Sequence, residues 1–184
     1  MGAVPLTPIL IVVGGLPATG KSTVASALAR RTGFAFVRVD RIEQAIIDST
    51  GLTQPLGPVG YLVAYGVAAE QLRHGISVVT ESVNPVGVTR DAWRGVAADN
   101  GARVLEVELI CSDQAVHARR VRTRHVNIAG LTLPTWQQIL DREYERWDRE
   151  HLVIDTALQS PAAAVGTILE AAAQVPDHVP ADRG

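Results

Sequence analysis

Short apolar runs alternate with amphipathic stretches along the chain. Residues 9–13 are all apolar and mostly β-branched, which predicts a strand buried on both faces and therefore a parallel sheet. Behind a glycine-containing loop, Val24, Ala27 and Leu28 recur at helical spacing as far as Gly33, a residue type that commonly caps helix C-termini. The first third of the pattern is thus a strand, a loop and a helix.

The same alternation continues to the end of the sequence. Turn residues dominate residues 51–60 and predict a mobile loop. Pro134 stands at the start of a predicted helix, with Thr135 and Gln138 in capping-box register and a side-chain stripe that reaches Trp147. The remaining predicted strands are residues 34–39, 76–80, 103–110 and 151–155, and the remaining predicted helices are residues 40–48, 61–72, 89–98, 113–125 and 162–173.

Five strands that alternate with helices predict a doubly wound α/β sandwich, in which ligands bind at the carboxyl ends of the strands. One predicted strand departs from the apolar rule, because Glu106 and Glu108 alternate along it. We expect one face of that strand to be partly wet or paired with arginine. Residues 1–175 are predicted to form a single domain, followed by a flexible, polar tail at residues 176–184.

Composition narrows the class of partner. The chain has 184 residues, 47% of them hydrophobic, and a formal net charge of -2, so no overall positive field exists to attract a polynucleotide or an anionic membrane. Its single cysteine, Cys111, excludes an intramolecular disulfide, and no apolar run reaches the roughly 18 residues that span a bilayer. We therefore expect a small-molecule partner, a reducing cytoplasmic setting, and a monomer or a homodimer.

The loop at residues 15–22, GLPATGKS, fits the Walker A pattern and directly follows the first apolar strand. In such a loop, backbone N–H groups surround phosphate oxygens while the next helix directs its positive N-terminal end at them. Lys21 is expected to bridge the terminal phosphates of ATP, and the Ser22 hydroxyl to bind Mg²⁺. The predicted nucleotide-binding residues are Gly15, Thr19, Gly20, Lys21, Ser22 and Thr23.

Lysine usage supports this interpretation. Of the 17 lysine and arginine residues, only Lys21 is a lysine, and it lies inside the motif. A compact ammonium that reaches between phosphate oxygens from a tight loop has a different shape and size from a planar guanidinium. The single lysine thus marks a site where arginine would not serve.

Two carboxylates at strand ends are candidates for catalysis and metal binding. Glu81 follows an apolar strand, where a Walker B carboxylate approaches the metal directly or through water; the alternative is an ordinary surface glutamate. Asp40 ends the second predicted strand and is the candidate general base for a substrate hydroxyl that attacks the γ-phosphate. Its alternative is structural, since Asp40 and Glu43 have capping-box spacing and Asp40 can simply cap the next helix.

Four arginines fall within six residues of one predicted helix, and Arg120 and Arg124 share its face at i, i+4 spacing. Like charges at that spacing repel by roughly 0.2 to 0.5 kcal/mol. A polyanion between them would convert the repulsion into affinity, so we predict a lid whose arginines stabilise charge on the transferring phosphoryl group. The alternative is a solvated basic face.

Aromatic side chains follow this helix. Trp136, Tyr144 and Trp147 can stack on a base or a ring-shaped substrate, but core packing is the simpler interpretation. Cys111 and the five histidines have no metal-ligand or catalytic-triad spacing, so no chemistry is assigned to them.

With these features in place, the chain resembles the small P-loop kinases, particularly the ATP-binding proteins of the AAA_33 type, which include chloramphenicol phosphotransferase-like and polynucleotide-kinase-like members. The resemblance spans nearly the whole chain, and only its first motif is specific by itself. It rests on GLPATGKST at residues 15–23, VDRIEQAI at 39–46, GISVVTESVNP at 75–85, HARRVRTR at 117–124, and PTW with REYERW at 134–147.

The resemblance implies a P-loop NTPase three-layer sandwich, with a five-stranded parallel sheet in the order 2-3-1-4-5 and an arginine-bearing helical lid at about residues 113–148. It implies an aspartate base at Asp40, nucleotide contacts at Lys21 and Ser22, and lid arginines at Arg120 and Arg124. Glu81 departs from the related pattern, which commonly has aspartate there.

The expected function is therefore an ATP- and Mg²⁺-dependent kinase that phosphorylates a hydroxyl of a small metabolite, nucleoside or antibiotic. Two alternatives remain open from the sequence. One is a nucleotide-binding regulatory ATPase without an acceptor; the other is a nucleic-acid 5′-hydroxyl kinase, for which the charge balance offers no basic channel.

Overall fold

In the computed structural model, which describes residues 7–125 and 128–177, five strands alternate with seven helices. The part of the predicted tail from residue 178 onward lies outside the described residues. No helix in the described ranges is long and apolar enough to cross a membrane. The strands are β1 (Ile9–Gly14), β2 (Ala35–Arg38), β3 (Val78–Glu81), β4 (Arg103–Ile110) and β5 (Leu152–Asp155), and the helices are α1 (Lys21–Thr32), α2 (Val39–Thr50), α3 (Val59–Arg73), α4 (Gly87–Asp99), α5 (Gln114–Thr123), α6 (Trp136–Leu140) and α7 (Pro161–Gln174).

The strands form one parallel sheet in the order β2-β3-β1-β4-β5, which confirms the predicted α/β P-loop NTPase fold. Every residue of β1 is buried, as expected for a central strand that is covered on both faces. One apolar layer packs α1 and α7 against the sheet, and the other packs α3 and α4 against its opposite face. The resulting three layers bring the loops after β1, β3 and β5, and the start of α2 directly after β2, to the carboxyl edge of the sheet.

The charged positions of β4 are paired, as the sequence predicts. Glu106 is buried, and its carboxylate accepts hydrogen bonds from Arg94 at 3.2 Å and from Arg149 at 2.9 and 3.2 Å. Glu108 lies 3.1 Å from the ring of His151. Two arginines therefore compensate the carboxylate that the sheet buries most deeply in this strand.

The predicted helix through Trp147 is wrong, although its start is right. The capping box of Thr135 and Gln138 is present, but α6 ends at Leu140, and residues 143–148 have no helical structure. Side-chain donors from α4 hold this segment: Arg90 Nη1 donates to the carbonyl of Arg146 at 3.1 Å and Nη2 to that of Glu145 at 2.7 Å. Those carbonyls are satisfied without a helix.

Arg90 is fully buried and ties this returning segment to the loop after β3. Its Nε and Nη2 donate to the carbonyls of Asn84 and Pro85 at 3.2 and 3.1 Å. The guanidinium also lies 5.3 Å from the ring centre of Tyr144 and 4.4 Å from that of Trp147. One arginine thus joins two distant stretches of backbone through four carbonyl oxygens and two aromatic faces.

We expect Arg90→Met to lower the free energy of unfolding by about 3 kcal/mol, because it removes the hydrogen-bond donors of four carbonyl oxygens at once. Urea denaturation followed by circular dichroism measures the change. The matched control is Arg94→Met, whose side chain is 49% exposed and donates to a carboxylate that Arg149 still pairs. That control should cost less than about 1 kcal/mol, and equal losses in the two variants would contradict the anchoring role of Arg90.

Candidate active site

A large cavity of about 1470 Å³ lies at the carboxyl edge of the sheet. The loop after β1 and the start of α1 form one end of it, together with residues 156–161 behind β5. The first three turns of α2, the loop at residues 53–57 and residues 130–134 form the other end. Ligand sites at this edge are expected for an open parallel sheet.

The Walker A loop is folded tightly against the sheet. Gly15 has φ +135°, and a Cβ placed on it would lie 2.2 Å from the carbonyl oxygen of Leu109 in β4. Neither it nor the buried Thr19 lines the cavity, whereas Gly20, Ser22 and Thr23 do. Gly15 and Thr19 therefore shape the loop from behind.

For this reason we expect Gly15→Ala to weaken nucleotide binding by at least about tenfold, since the loop backbone must move to admit the methyl group. Calorimetric titration with the ATP analogue AMPPNP measures the affinity. Gly33→Ala is the matched control: that glycine also has a positive φ, of +73°, but nothing lies within 4 Å of its Cβ position. An unchanged affinity in Gly15→Ala would show that the loop can relax without consequence.

Lys21 is the first residue of α1 and is only 7% exposed. Its Nζ donates to the carbonyl of Leu16 at 2.8 Å, so the ammonium lies within the curve of its own loop. Burial lowers the pKa of Lys21, while the carboxylates of Glu81 and Asp40 oppose that effect. The ammonium and both predicted carboxylates therefore belong to one electrostatic cluster.

Residues from α5 and from the segment after β5 form hydrogen bonds that hold the Walker A loop in place. Thr156, directly after β5, donates from Oγ1 to the carbonyl of Thr19 at 2.8 Å. Arg120 of α5 in turn donates to Oγ1 and the carbonyl oxygen of Thr156, at 2.7 and 2.8 Å. His117, also on α5, lies 2.8 Å from the carbonyl of Pro17. These contacts connect the predicted lid helix to the phosphate-binding loop.

The two arginines predicted to act together are held by different partners. Arg120 is bonded to Thr156, whereas Arg124 lies one residue beyond the end of α5 and donates from Nη2 to the carbonyl of Pro134 at 2.9 Å. Both line the cavity. Burial lowers the pKa of Arg124 and the Asp40 carboxylate opposes that effect, so Arg124 is linked electrostatically to the predicted base.

Asp40 does not cap α2. The N-cap residue is Arg38, with no side-chain cap hydrogen bond, and Asp40 lies in the first turn, where its negative charge complements the helix dipole. In the described part of the chain, no N–H or hydroxyl group donates a hydrogen bond to the Asp40 carboxylate, which lines the cavity. The capping alternative is therefore wrong, and the carboxylate is available to a ligand.

Ser22 and Glu81, the two predicted metal ligands, contact each other. The Ser22 hydroxyl donates to Glu81 Oε1 at 2.5 Å, and the Glu81 side chain is 4% exposed at the end of β3. Hydroxyl and carboxylate oxygens are the ligand types that Mg²⁺ prefers. Over residues 7–125 and 128–177, no three His, Cys, Asp or Glu side chains form a metal cage, so a Mg²⁺ ion here would take its other ligands from nucleotide phosphates and water.

Two arginines of the cavity are absent from the sequence-based prediction. Arg38, the last residue of β2, contacts both Glu81 and Ser22. Arg142 lines the cavity, and its positive charge lowers the pKa of both Lys21 and Glu43. Arg38 and Glu81 are paired residues at the ends of the neighbouring strands β2 and β3. The contact between them can therefore be predicted from the sequence only if the strand order is known.

Trp136, Tyr144 and Trp147, the aromatic residues that follow α5, do not line the cavity. Trp136 packs edge-on against His117, with ring centres 5.0 Å apart, and Trp147 stacks on His151 at 4.0 Å. Tyr144 lies beside Arg90. Packing rather than ligand stacking thus accounts for all three.

Comparisons with known proteins agree with this geometry. The sequence model of the AAA_33 family, described as an AAA domain, matches residues 10–145. The sequence has no significant match among curated proteins.

Several solved structures share the fold at low sequence identity. The APS kinase CysC of Mycobacterium tuberculosis, solved with AMPPNP and APS, has a TM-score of 0.71 at 20% identity, over 92% of this chain and 100% of that one. A gluconokinase from Sinorhizobium meliloti 1021 has a TM-score of 0.59 at 24% identity, over 91% and 97%. A sugar kinase from Janibacter sp. HTCC2649 has a TM-score of 0.63 at 21% identity, over 89% and 93%.

Proposed function

We propose that this chain, which belongs to the AAA_33 family of AAA domains, is an ATP- and Mg²⁺-dependent kinase that transfers the γ-phosphoryl group to a hydroxyl of a small molecule. The observation that carries the proposal is a cavity that holds a Walker A loop and, beside it, the carboxylate of Asp40, which accepts no hydrogen bond from the residues that the structure describes. A nucleotide-binding loop alone would suit any ATPase. The added carboxylate suits transfer to an acceptor.

The size of the cavity supports two substrates. Sites for one drug-sized ligand typically measure about 300 to 1,000 Å³. The cavity here measures about 1470 Å³ and extends beyond the Walker A loop to residues 53–57 and Tyr61. Tyr65, one helical turn beyond Tyr61, donates to the carbonyl of Thr89 and does not line the cavity.

In the proposed reaction, the acceptor hydroxyl lies against Asp40, and its proton passes to that carboxylate as the oxygen bonds to the γ-phosphorus. The bond from the γ-phosphorus to the bridging oxygen breaks at the same time, and ADP keeps that electron pair. Lys21 and Arg124 stabilise the negative charge on the phosphoryl oxygens. Mg²⁺ held by Ser22 and Glu81 would neutralise charge on the β- and γ-phosphates.

Arg120 has a different place in this scheme from the one that the sequence suggests. Its guanidinium holds Thr156, which in turn holds the carbonyl of Thr19. We therefore assign Arg120 to positioning of the phosphate-binding loop, and Arg124 to the charge of the transferring group.

The structural relatives support the proposed substrate classes. One is an APS kinase solved with AMPPNP and APS, and others are described as a gluconokinase and a sugar kinase. All three have the same fold, and each of them is a kinase by its description. By analogy, this chain would combine a nucleotide with a small hydroxylated acceptor.

A screen for phosphate transfer tests the proposal. The purified protein is incubated with ATP, Mg²⁺ and sets of small hydroxylated compounds, and ADP formation is compared with that of the Lys21→Ala variant as the blank. We expect one compound class to accelerate ADP release and to yield a phosphorylated product. ATP hydrolysis that no acceptor accelerates would contradict the proposal and favour a regulatory ATPase.

A further inference from the structure

Arg38 places a cation on the two residues that would hold Mg²⁺. Its Nε lies 2.6 Å from Glu81 Oε2, and its Nη2 donates to Ser22 Oγ at 3.1 Å. Ser22 in turn donates to Glu81 Oε1. One guanidinium thus contacts both oxygen ligands of the proposed metal site.

The contact between Arg38 and Glu81 is close but poorly aligned. Although Nε and Oε2 are 2.6 Å apart, the pair does not form a hydrogen bond, because the N–H bond does not point along the contact. What remains is charge attraction to a carboxylate that is only 4% exposed. A buried carboxylate needs a cation nearby, but this geometry does not make Arg38 its only suitable partner.

Arg38 is also positioned to move away. Both side chains line the cavity, but that of Arg38 is 17% exposed, whereas that of Glu81 is 4% exposed at the end of β3. A guanidinium and Mg²⁺ that both contact Glu81 and Ser22 repel each other, because both are positive and would lie close together beside the same carboxylate. Since Glu81 is the more deeply buried of the two, Arg38 is the side chain that would move when Mg²⁺ binds.

We propose that Arg38 and Mg²⁺ are alternative partners of Glu81 and Ser22, so that Arg38 holds the metal ligands in place and yields them when Mg²⁺·nucleotide binds. This inference rests on the proposed Mg²⁺·ATP site and adds to it a positioning residue that the Walker motifs do not contain. Under this proposal, removal of Arg38 strengthens the effect of Mg²⁺ on nucleotide binding. Removal of an arginine that binds phosphate would instead weaken nucleotide binding.

The metal dependence of nucleotide affinity tests the proposal without any acceptor. The dissociation constant of AMPPNP is measured by calorimetry in excess Mg²⁺ and in EDTA, and the ratio of the two gives the metal coupling. In Arg38→Gln the Mg²⁺ no longer competes with the guanidinium, so we expect the coupling to increase by about tenfold relative to the unsubstituted protein. The affinity in EDTA should remain within about threefold.

Stability supplies a second readout. Arg38→Gln removes the ion pair with the buried Glu81 carboxylate, so the melting temperature without nucleotide should fall, and Glu81→Gln in the same chain should cancel most of that fall. Arg38→Lys keeps the charge without the second contact to Ser22, and its coupling should lie between those of the other two proteins. That variant keeps the test available if Arg38→Gln does not fold.

Arg41→Gln is the matched control, because Arg41 is exposed, lies three residues further along and does not line the cavity. It should leave the coupling unchanged. A weaker affinity of Arg38→Gln in EDTA would mean that Arg38 binds phosphate, and an unchanged coupling would mean that it does not compete with Mg²⁺. Either result overturns the inference, whereas a failure of the unsubstituted protein to bind AMPPNP would instead contradict the proposed function.

Discussion

Replacement of Asp40 by asparagine is expected to lower kcat for the acceptor by about 10² to 10⁴-fold while leaving the affinity for AMPPNP within about threefold. Asparagine has nearly the same size and can occupy the first turn of α2, but it cannot accept the proton of the attacking hydroxyl. The carboxylate has no protein donor among the described residues, so its loss should leave no buried group unsatisfied. Stability should therefore change little.

The measurement uses the acceptor that the phosphate-transfer screen identifies, with kcat from steady-state rates and affinity from calorimetry. Asp99→Asn is a suitable control, since Asp99 ends α4, is exposed and does not line the cavity. If Asp40→Asn kept more than a third of the turnover, Asp40 would not be the base. Glu43 would then be the candidate base, because it lies one turn along α2, also lines the cavity, and has a pKa that burial raises.

Much of the fold follows from local sequence. The unbroken apolar run of β1 could only be a strand covered on both faces, and the five alternating units restricted the sheet to parallel topologies. The segment after α6 shows where local reasoning ends. Its helical stripe is real in the sequence, but Arg90, more than fifty positions away, satisfies its carbonyls from outside. No periodicity in residues 141–147 contains that information.

Some residues of the candidate site could be placed from local sequence, whereas the partners of others depend on the tertiary structure. Lys21 and Ser22 are set by one contiguous motif, so their placement in the cavity could be predicted from the sequence. Arg38 contacts Glu81 only because β2 and β3 are neighbours in register, which is a property of strand order. Arg120 and Arg124 share a spacing in the sequence, yet Thr156 and Pro134 draw them apart. Spacing identified the residues but not their partners.

Substitutions of Lys21, the only lysine in the chain, are expected to have the second large effect. We expect Lys21→Met to lower kcat/KM by about 10² to 10³-fold, the usual effect of losing one preorganised donor to a developing charge. Lys21→Arg should lose a similar factor although it keeps the charge. The ammonium is 7% exposed and lies 2.8 Å from the carbonyl of Leu16 within its own loop, and the larger planar guanidinium differs from it in both shape and size.

Stability should move in the other direction, which separates this loss from misfolding. Burial lowers the pKa of Lys21, so the folded protein disfavours the charged form relative to the unfolded chain. Lys21→Met removes that cost and should leave the melting temperature unchanged or raised, even as catalysis fails. A lower melting temperature in parallel with lost activity would mean that the ammonium mainly holds the loop through Leu16. Near-normal activity in Lys21→Arg would show that the only lysine among 17 basic residues is not required by shape.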